Sequence, residues 1–201
     1  MCIRDRQYIV IKDDLEFLKQ KGYKPSVIIS DGRASIIKAA KEVYPDVPLQ
    51  RCIFHIVHQA KKWLTRNPKT AAAQTLKALT TSLMSVHSSE MAKAWNEAFE
   101  IWELLFVDKV QERSYASDTT TNNKKWWYTH RNLRRTWRLI KNAQPSFWTY
   151  LKHPSCPRTT NALEGGINAP LKYMIRRHRG WSLDTQKQAI KWYFYFRNQP
   201  D

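Results

Sequence analysis

The run Val27-Ile28-Ile29-Ser30-Asp31 constrains this chain more than any other stretch, because it is short, continuous and apolar up to its last two residues. A strand with one face in water alternates polar and apolar residues. A strand covered on both faces in a parallel sheet reads instead as an unbroken apolar run. Gly32 ends the run, Ile36, Ile37, Ala40 and Val43 then recur at helical spacing as far as Pro45, and a second apolar piece follows from Val47 to Ile53. That piece leads into a further helix through Trp63 and Leu64. Strand, helix, strand and helix in so short a span predict an α/β unit with a helical crossover between parallel strands. Upstream, Tyr8, Ile11, Leu15 and Leu18 mark one face of a helix that ends near Gly22, whereas Met1 to Arg6 shows no periodicity.

From Pro68 to about Leu151 the strand signal disappears. Leu76, Leu79 and Leu83 mark one helix, Met91, Trp95, Ala98, Trp102 and Leu105 a second, and Leu133, Trp137 and Ile140 a third. Asp118 to Asn123 is a polar connector among them. Thr159 or Thr160 caps the next helix, Gly165-Gly166 and Pro170 interrupt it, and Ser182 caps a last aromatic helix through Ile190, Trp192, Phe194 and Phe196. The expected fold class is α/β and mostly helical overall. Its parts are an α/β unit over residues 7–66, a large all-helical insertion over 67–155, and C-terminal helices over 156–201.

Charge points to the partner. Lys and Arg number 34 against 17 Asp and Glu, a net charge of +17. Residues 122–181 hold 13 of the basic residues and a single acid, together with Trp126, Trp127, Trp137, Trp148 and Trp181. Cations at that density, interleaved with aromatic rings, suit a phosphate backbone and its bases, so DNA is the expected partner. The plain alternative is a basic solvated surface over buried tryptophans. Lys124, Lys125, Arg134, Arg135, Arg176, Arg177, His178 and Arg179 are the candidate DNA contacts. No apolar run approaches the roughly 18 residues of a membrane span. The opening MCIRDR lacks the apolar stretch of a signal peptide. Cys2, Cys52 and Cys156 are too few and scattered for a disulfide scaffold. A cytoplasmic, nucleoid-associated protein is therefore expected.

Two carboxylates stand out. Asp31 falls at the carboxyl end of the buried strand, where open α/β sheets place their ligands. Glu164 is the one acid of the basic block. Singly, an Asp before Gly is often a turn residue, and a Glu among cations is often an ion-pair partner. Together they suggest carboxylates that bind metal and meet a polyanion. Phosphoryl transfer on DNA uses hard oxygen ligands to hold two Mg²⁺ (or Mn²⁺) ions about 4 Å apart.

The ordered set ISDG at Ile29–Gly32, RCIFH at Arg51–His55, TTNALEGGIN at Thr159–Asn168 and HRGW at His178–Trp181 resembles the DDE transposases of bacterial insertion sequences in the Mutator-like superfamily. The likeness spans about Asp13 to Asn198. It implies a ribonuclease-H-like core, partial here, with an all-helical insertion before the Glu helix. It further implies that Asp31 is the second catalytic Asp, that Glu164 is the catalytic Glu, and that both are metal ligands. Cys52 and His55 match the family's Cys-x-x-His signature. The family's first catalytic Asp has no counterpart, since Asp13 and Asp14 fall on the opening helix. The chain is thus expected to be a fragment, inactive alone, of an enzyme that cleaves transposon ends, joins them to target DNA and self-associates on DNA.

Alternatives remain at this point: a non-catalytic DNA-binding protein that uses the 122–181 block, or a metal-dependent nuclease of the same fold. For Cys52 and His55 three roles stay open: a zinc site with His58, a pair that supports the active site, and a plain buried Cys.

Overall fold

The computed structural model describes residues 3–116 and 125–199, of which 3–7 as backbone only. The polar connector at Asp118–Asn123 and the candidate contact Lys124 lie outside the described residues. The chain divides into two compact units, the first ending at Thr159 and the second starting at Thr160. The protein is mostly helical, with few and short strands.

The first unit opens with α1, Ile3–Gln20, so the helix starts within the segment whose sequence shows no periodicity. Gly22, at φ +82°, ends it in a left-handed turn that suits glycine. Strand β1, Ile28–Ser30, pairs in parallel with β2, Leu49–Arg51, in the register Ser30 opposite Arg51. Helix α2, Ala34–Val43, connects them and buries Ala39, Ala40 and Val43. Polar contacts also fasten α1 to α2: Lys12 Nζ lies 3.4 Å from a Glu42 carboxylate oxygen, the Tyr8 hydroxyl donates to Glu42, and Lys19 Nζ donates to the Val43 carbonyl at 2.8 Å.

The strand pair departs from the expectation of a doubly buried apolar sheet. Ile28, Ile29 and Leu49 are only half-buried, while the buried side chains are Ser30 and the fully enclosed Gln50. The reason lies in what covers β2. Gln50 Nε2 donates to the carbonyls of Arg51 at 2.7 Å and Phe147 at 3.0 Å, and its Oε1 accepts from the Tyr150 N–H at 3.0 Å. Thr149 Oγ1 adds a bond to the Leu49 carbonyl at 2.8 Å. Backbone polar groups of Phe147 and Tyr150 thus meet the strand, and a buried amide with satisfied donors and acceptor is what those groups select.

Helix α3, Ile53–Leu64, opens an apolar core that continues through α4, Ala71–Ser82, α5, Ser89–Gln111, and α6, Arg131–Ala143. Thr70 and Ser88 cap α4 and α5 by accepting from Ala73 N and Met91 N, both at 3.3 Å. The insertion is not all-helical. Strands β3, Arg113–Tyr115, and β4, Trp126–Tyr128, form an antiparallel pair between α5 and α6. Three residues per strand are too few for an alternation signal, and only the aromatic content of Trp126-Trp127-Tyr128 favours extended backbone there. A one-turn helix α7, Thr149–Lys152, follows.

The second unit holds α8, Asn161–Leu163, then a wide turn over Glu164–Asn168, then α9, Ala169–Arg177, and α10, Leu183–Arg197. Gly165-Gly166 and Pro170 interrupt the α-helix as expected, and Pro170 stands in the first turn of α9. The interruption is a widened turn, with Ala169 N bonding Glu164 O, five residues back. Pro170 has no N–H for the Gly166 carbonyl, and Arg197 Nη1 of α10 donates to that oxygen at 2.9 Å instead. Ser182 caps α10 as the sequence predicts, accepting from Thr185 N at 3.2 Å.

Candidate active site

Asp31 directly follows β1 and stands at its carboxyl end. Its Oδ1 accepts the Arg33 N–H at 3.0 Å and its Oδ2 lies 3.4 Å from Arg33 Nε, so the turn itself orients the carboxylate. Gly32 adopts φ +93°, a region costly to other residues. A methyl group at Gly32 would overlap the Arg51 guanidinium. The tight turn therefore serves a close approach: Arg51 Nη2 donates to the Asp31 carbonyl at 3.4 Å. Burial pulls the Arg51 guanidinium below its ordinary pKa, and the opposing Asp31 charge acts the other way. Arg51 is a site residue that sequence reasoning missed. Only the β1–β2 register places it beside the Asp31 turn.

Gly32→Ala is accordingly expected to destabilise the first unit by about 1–3 kcal/mol, since it adds both left-handed strain and a clash. Chemical denaturation of the variant checks this. Wild-type stability would mean that the turn and Arg51 are not locked together.

Cys52, almost fully buried, begins the turn into α3, and its N–H donates to Ser30 O at 2.8 Å. His55 sits one turn further on, edge-on to the Phe54 ring, and the His58 ring stacks on Phe54 at 5.9 Å. Among the described residues no group of three or more His, Cys, Asp or Glu side chains could hold a metal ion. Glu164 belongs to the second unit, exposed at the start of the wide turn, where Oε1 accepts from Thr160 Oγ1 at 3.1 Å.

The candidate DNA contacts sort into two kinds. Arg176, Arg177, His178 and Arg179 are all exposed at the end of α9, and the His178 ring stacks on Trp181 at 4.0 Å. Lys125 and Arg135 are exposed as well. Arg134 is half-buried and committed inward, its guanidinium 3.7 Å from the centre of the Tyr128 ring. The strand pair adds residues that sequence reasoning did not single out as a group: Trp126 and Trp127 are exposed, and the Arg113 guanidinium lies 4.2 Å from the Trp126 ring centre. Exposed rings flanked by cations can stack on bases while the cations meet phosphates.

Residues 4–59 match the MULE transposase domain family. That span contains Asp31, Arg51, Cys52 and His55. A protein of Corynebacterium diphtheriae described as a probable transposase for an insertion sequence element is 23% identical over 180 residues, which are 87% of this chain and 44% of the relative. The chain therefore spans less than half the length of that relative. No solved structure matches the chain. Among the described residues no helix is long and apolar enough to cross a membrane. Both likenesses include the segment around Asp31, so the chain is similar there to MULE transposase domains and, over most of its length, to a probable transposase of an insertion sequence element.

Proposed function

We propose that this chain is part of a DDE-type transposase that performs metal-dependent phosphoryl transfer on DNA. The observation that carries the proposal is the placement of Asp31 at the carboxyl end of a parallel strand pair inside the matched segment. On this reading β1 and β2 are neighbouring strands of a ribonuclease-H-like sheet. Residues 7–66 form the partial core, 67–155 the insertion, and 156–201 the C-terminal helices that carry Glu164.

Asp31 and Glu164 have the hard oxygen donors that Mg²⁺ or Mn²⁺ prefers. They do not make a complete site, because the described residues offer no group of three ligands. The missing carboxylate is assigned to the longer protein, in keeping with the share of the relative that this chain covers. When bound, the metal would activate the attacking oxygen and stabilise the leaving one. The chain's own contributions are more specific. The Arg33 N–H fixes one Asp31 oxygen, and Arg51 holds the turn that carries it. The Cys52 N–H ties the start of α3 to β1, and on this reading Cys52 and His55 support the active site. Water would attack the phosphorus at the transposon end and break its P–O3′ bond, leaving a 5′ phosphate and a free 3′ hydroxyl; that hydroxyl would then bond to a phosphorus of target DNA and displace the target's own 3′ oxygen. Arg176, Arg177 and Arg179 would neutralise backbone phosphates, and several copies would assemble on the DNA.

A salt titration of duplex binding tests the DNA-facing half of this proposal. Each neutralised phosphate contributes about −0.9 to the slope of log affinity against log salt. Replacing Arg176, Arg177 and Arg179 by Ala is expected to flatten that slope by about two to three units. An unchanged slope would move the contact elsewhere. A non-catalytic DNA-binding protein would give the same slope, and divalent-metal-dependent strand cleavage by the longer protein separates the two.

A further inference from the structure

A cavity of about 650 Å³ lies in the first unit, where the C-terminal end of α3 meets the N-terminal end of α6. Its wall includes Trp63, Lys69, Arg131 and Arg135, with the amides of Asn67 and Asn132, and no Asp or Glu lines it. Arg131 and Arg135 stand four positions apart on α6, which puts both side chains on one face. Like charges at that spacing repel unless an anion comes between them. The Arg135 guanidinium lies 5.4 Å from the centre of the Trp63 ring, and a cation held on an aromatic face keeps its N–H donors for another acceptor.

Among the described residues no ion pair involves Arg131, Arg135 or Lys69, and all three are exposed. Several cations elsewhere in the molecule do have an acidic partner. Lys12 meets Glu16 and Glu42 at 3.7 and 3.4 Å, and Lys109 meets Glu112 at 3.0 Å. Glu112 also lies 3.5 Å from Nε2 of His130, a residue of the cavity wall, but does not itself line the cavity. A concave site with three cations and no acid asks for an anion. Its volume exceeds what one phosphate group needs and falls in the range of sites that enclose small organic groups.

We propose that this cavity is a phosphodiester pocket that seats one nucleotide of a DNA backbone, its phosphate among Arg131, Arg135 and Lys69. The proposal rests on the DNA-binding reading above and adds a contact site separate from Arg176–Arg179. Arg131 and Arg135 are Arg rather than Lys, which suits the paired N–H donation that phosphate oxygens accept.

The test uses the whole chain and a labelled duplex, with affinity followed by fluorescence anisotropy against salt. The Arg131→Gln/Arg135→Gln double variant is expected to flatten the log–log slope by about 1.8, from two contacts. It should weaken binding on the order of tenfold per contact at about 0.1 M salt. Lys69→Gln is expected to flatten the slope by about 0.9. Lys93→Gln, on the exposed side of α5, should leave binding unchanged, and circular dichroism should show every variant folded. Wild-type affinity and slope in the folded double variant and in Lys69→Gln would overturn the pocket while leaving the DNA-binding reading standing. Failure of the wild-type chain to bind duplex at low salt would overturn that reading itself. Thymidine 5′-monophosphate that stabilises the wild-type chain thermally, but not the double variant, would in that case make the cavity a mononucleotide site and overturn the DNA backbone as its occupant.

Discussion

Asp31→Asn and Glu164→Gln, each introduced into the longer transposase of which this chain is proposed to be a part, are expected to lower strand transfer by roughly a thousandfold or more. Metal-ion stabilisation of developing charge is worth several kcal/mol, and each 1.36 kcal/mol corresponds to about a factor of ten in rate. The substitutions are chosen to spare the local structure. Asparagine keeps an oxygen to accept the Arg33 N–H that now bonds Asp31 Oδ1 at 3.0 Å, and glutamine keeps one for the Thr160 hydroxyl now 3.1 Å from Glu164 Oε1. What each loses is the negative charge and one hard donor. Duplex binding should therefore hold or tighten slightly while cleavage and joining vanish. Retention of more than about a tenth of the wild-type rate by either variant, at saturating Mg²⁺, would remove that residue from the metal site. This chain alone, whose described residues offer no group of three metal ligands, is expected to bind DNA without cleaving or joining it.

What the sequence made legible follows from the range of the interactions involved. The strand, helix and strand around Asp31 depend on neighbours in the chain, so periodicity and the glycine after the acid were sufficient to read them. The likeness to insertion-sequence transposases was equally readable, because it is carried by short ordered motifs. Gln50 was not. It reads as an unremarkable polar residue, and its burial is explained by Phe147 and Tyr150, 97 and 100 positions away. Arg51 is similar: nothing before it in the chain shows that its guanidinium will lie against Gly32. The interruption at Glu164 was legible from Gly-Gly and Pro, but its form as a wide turn was not. Here Arg197, 31 positions on, satisfies the carbonyl that Pro170 leaves open. Composition located the cations but could not tell Arg134, turned onto Tyr128, from Arg135, which borders a cavity. Long-range partners decide such cases.

Phe99→Ala is expected to cost the first unit about 3–5 kcal/mol, near the upper end of what removal of a buried aromatic ring does. Phe99 is fully buried on α5, between Trp95 at 5.5 Å with planes 15° apart and Trp102 at 6.2 Å with planes 3° apart. The cost of such a truncation depends on whether neighbours can collapse into the space. Here the neighbours are tied. Trp95 Nε1 donates to the Leu79 carbonyl at 2.8 Å, and Trp102 Nε1 donates to the Ala72 carbonyl and to Thr75 Oγ1, both at 3.1 Å. Moving either indole into the hole would leave a buried N–H and a carbonyl of α4 without a partner, a penalty of about 1–3 kcal/mol each. The cavity should therefore persist, and two ring-stacking contacts are lost with the side chain. For a chain of this size the midpoint of thermal unfolding should fall by roughly 6–20 °C. Leu104→Ala on the same helix, at a position 82% exposed, should change stability by no more than about 0.5 kcal/mol. A Phe99→Ala variant within about 1 kcal/mol of wild type would mean that the indoles can leave α4. The aromatic column would then not be held rigidly against α4.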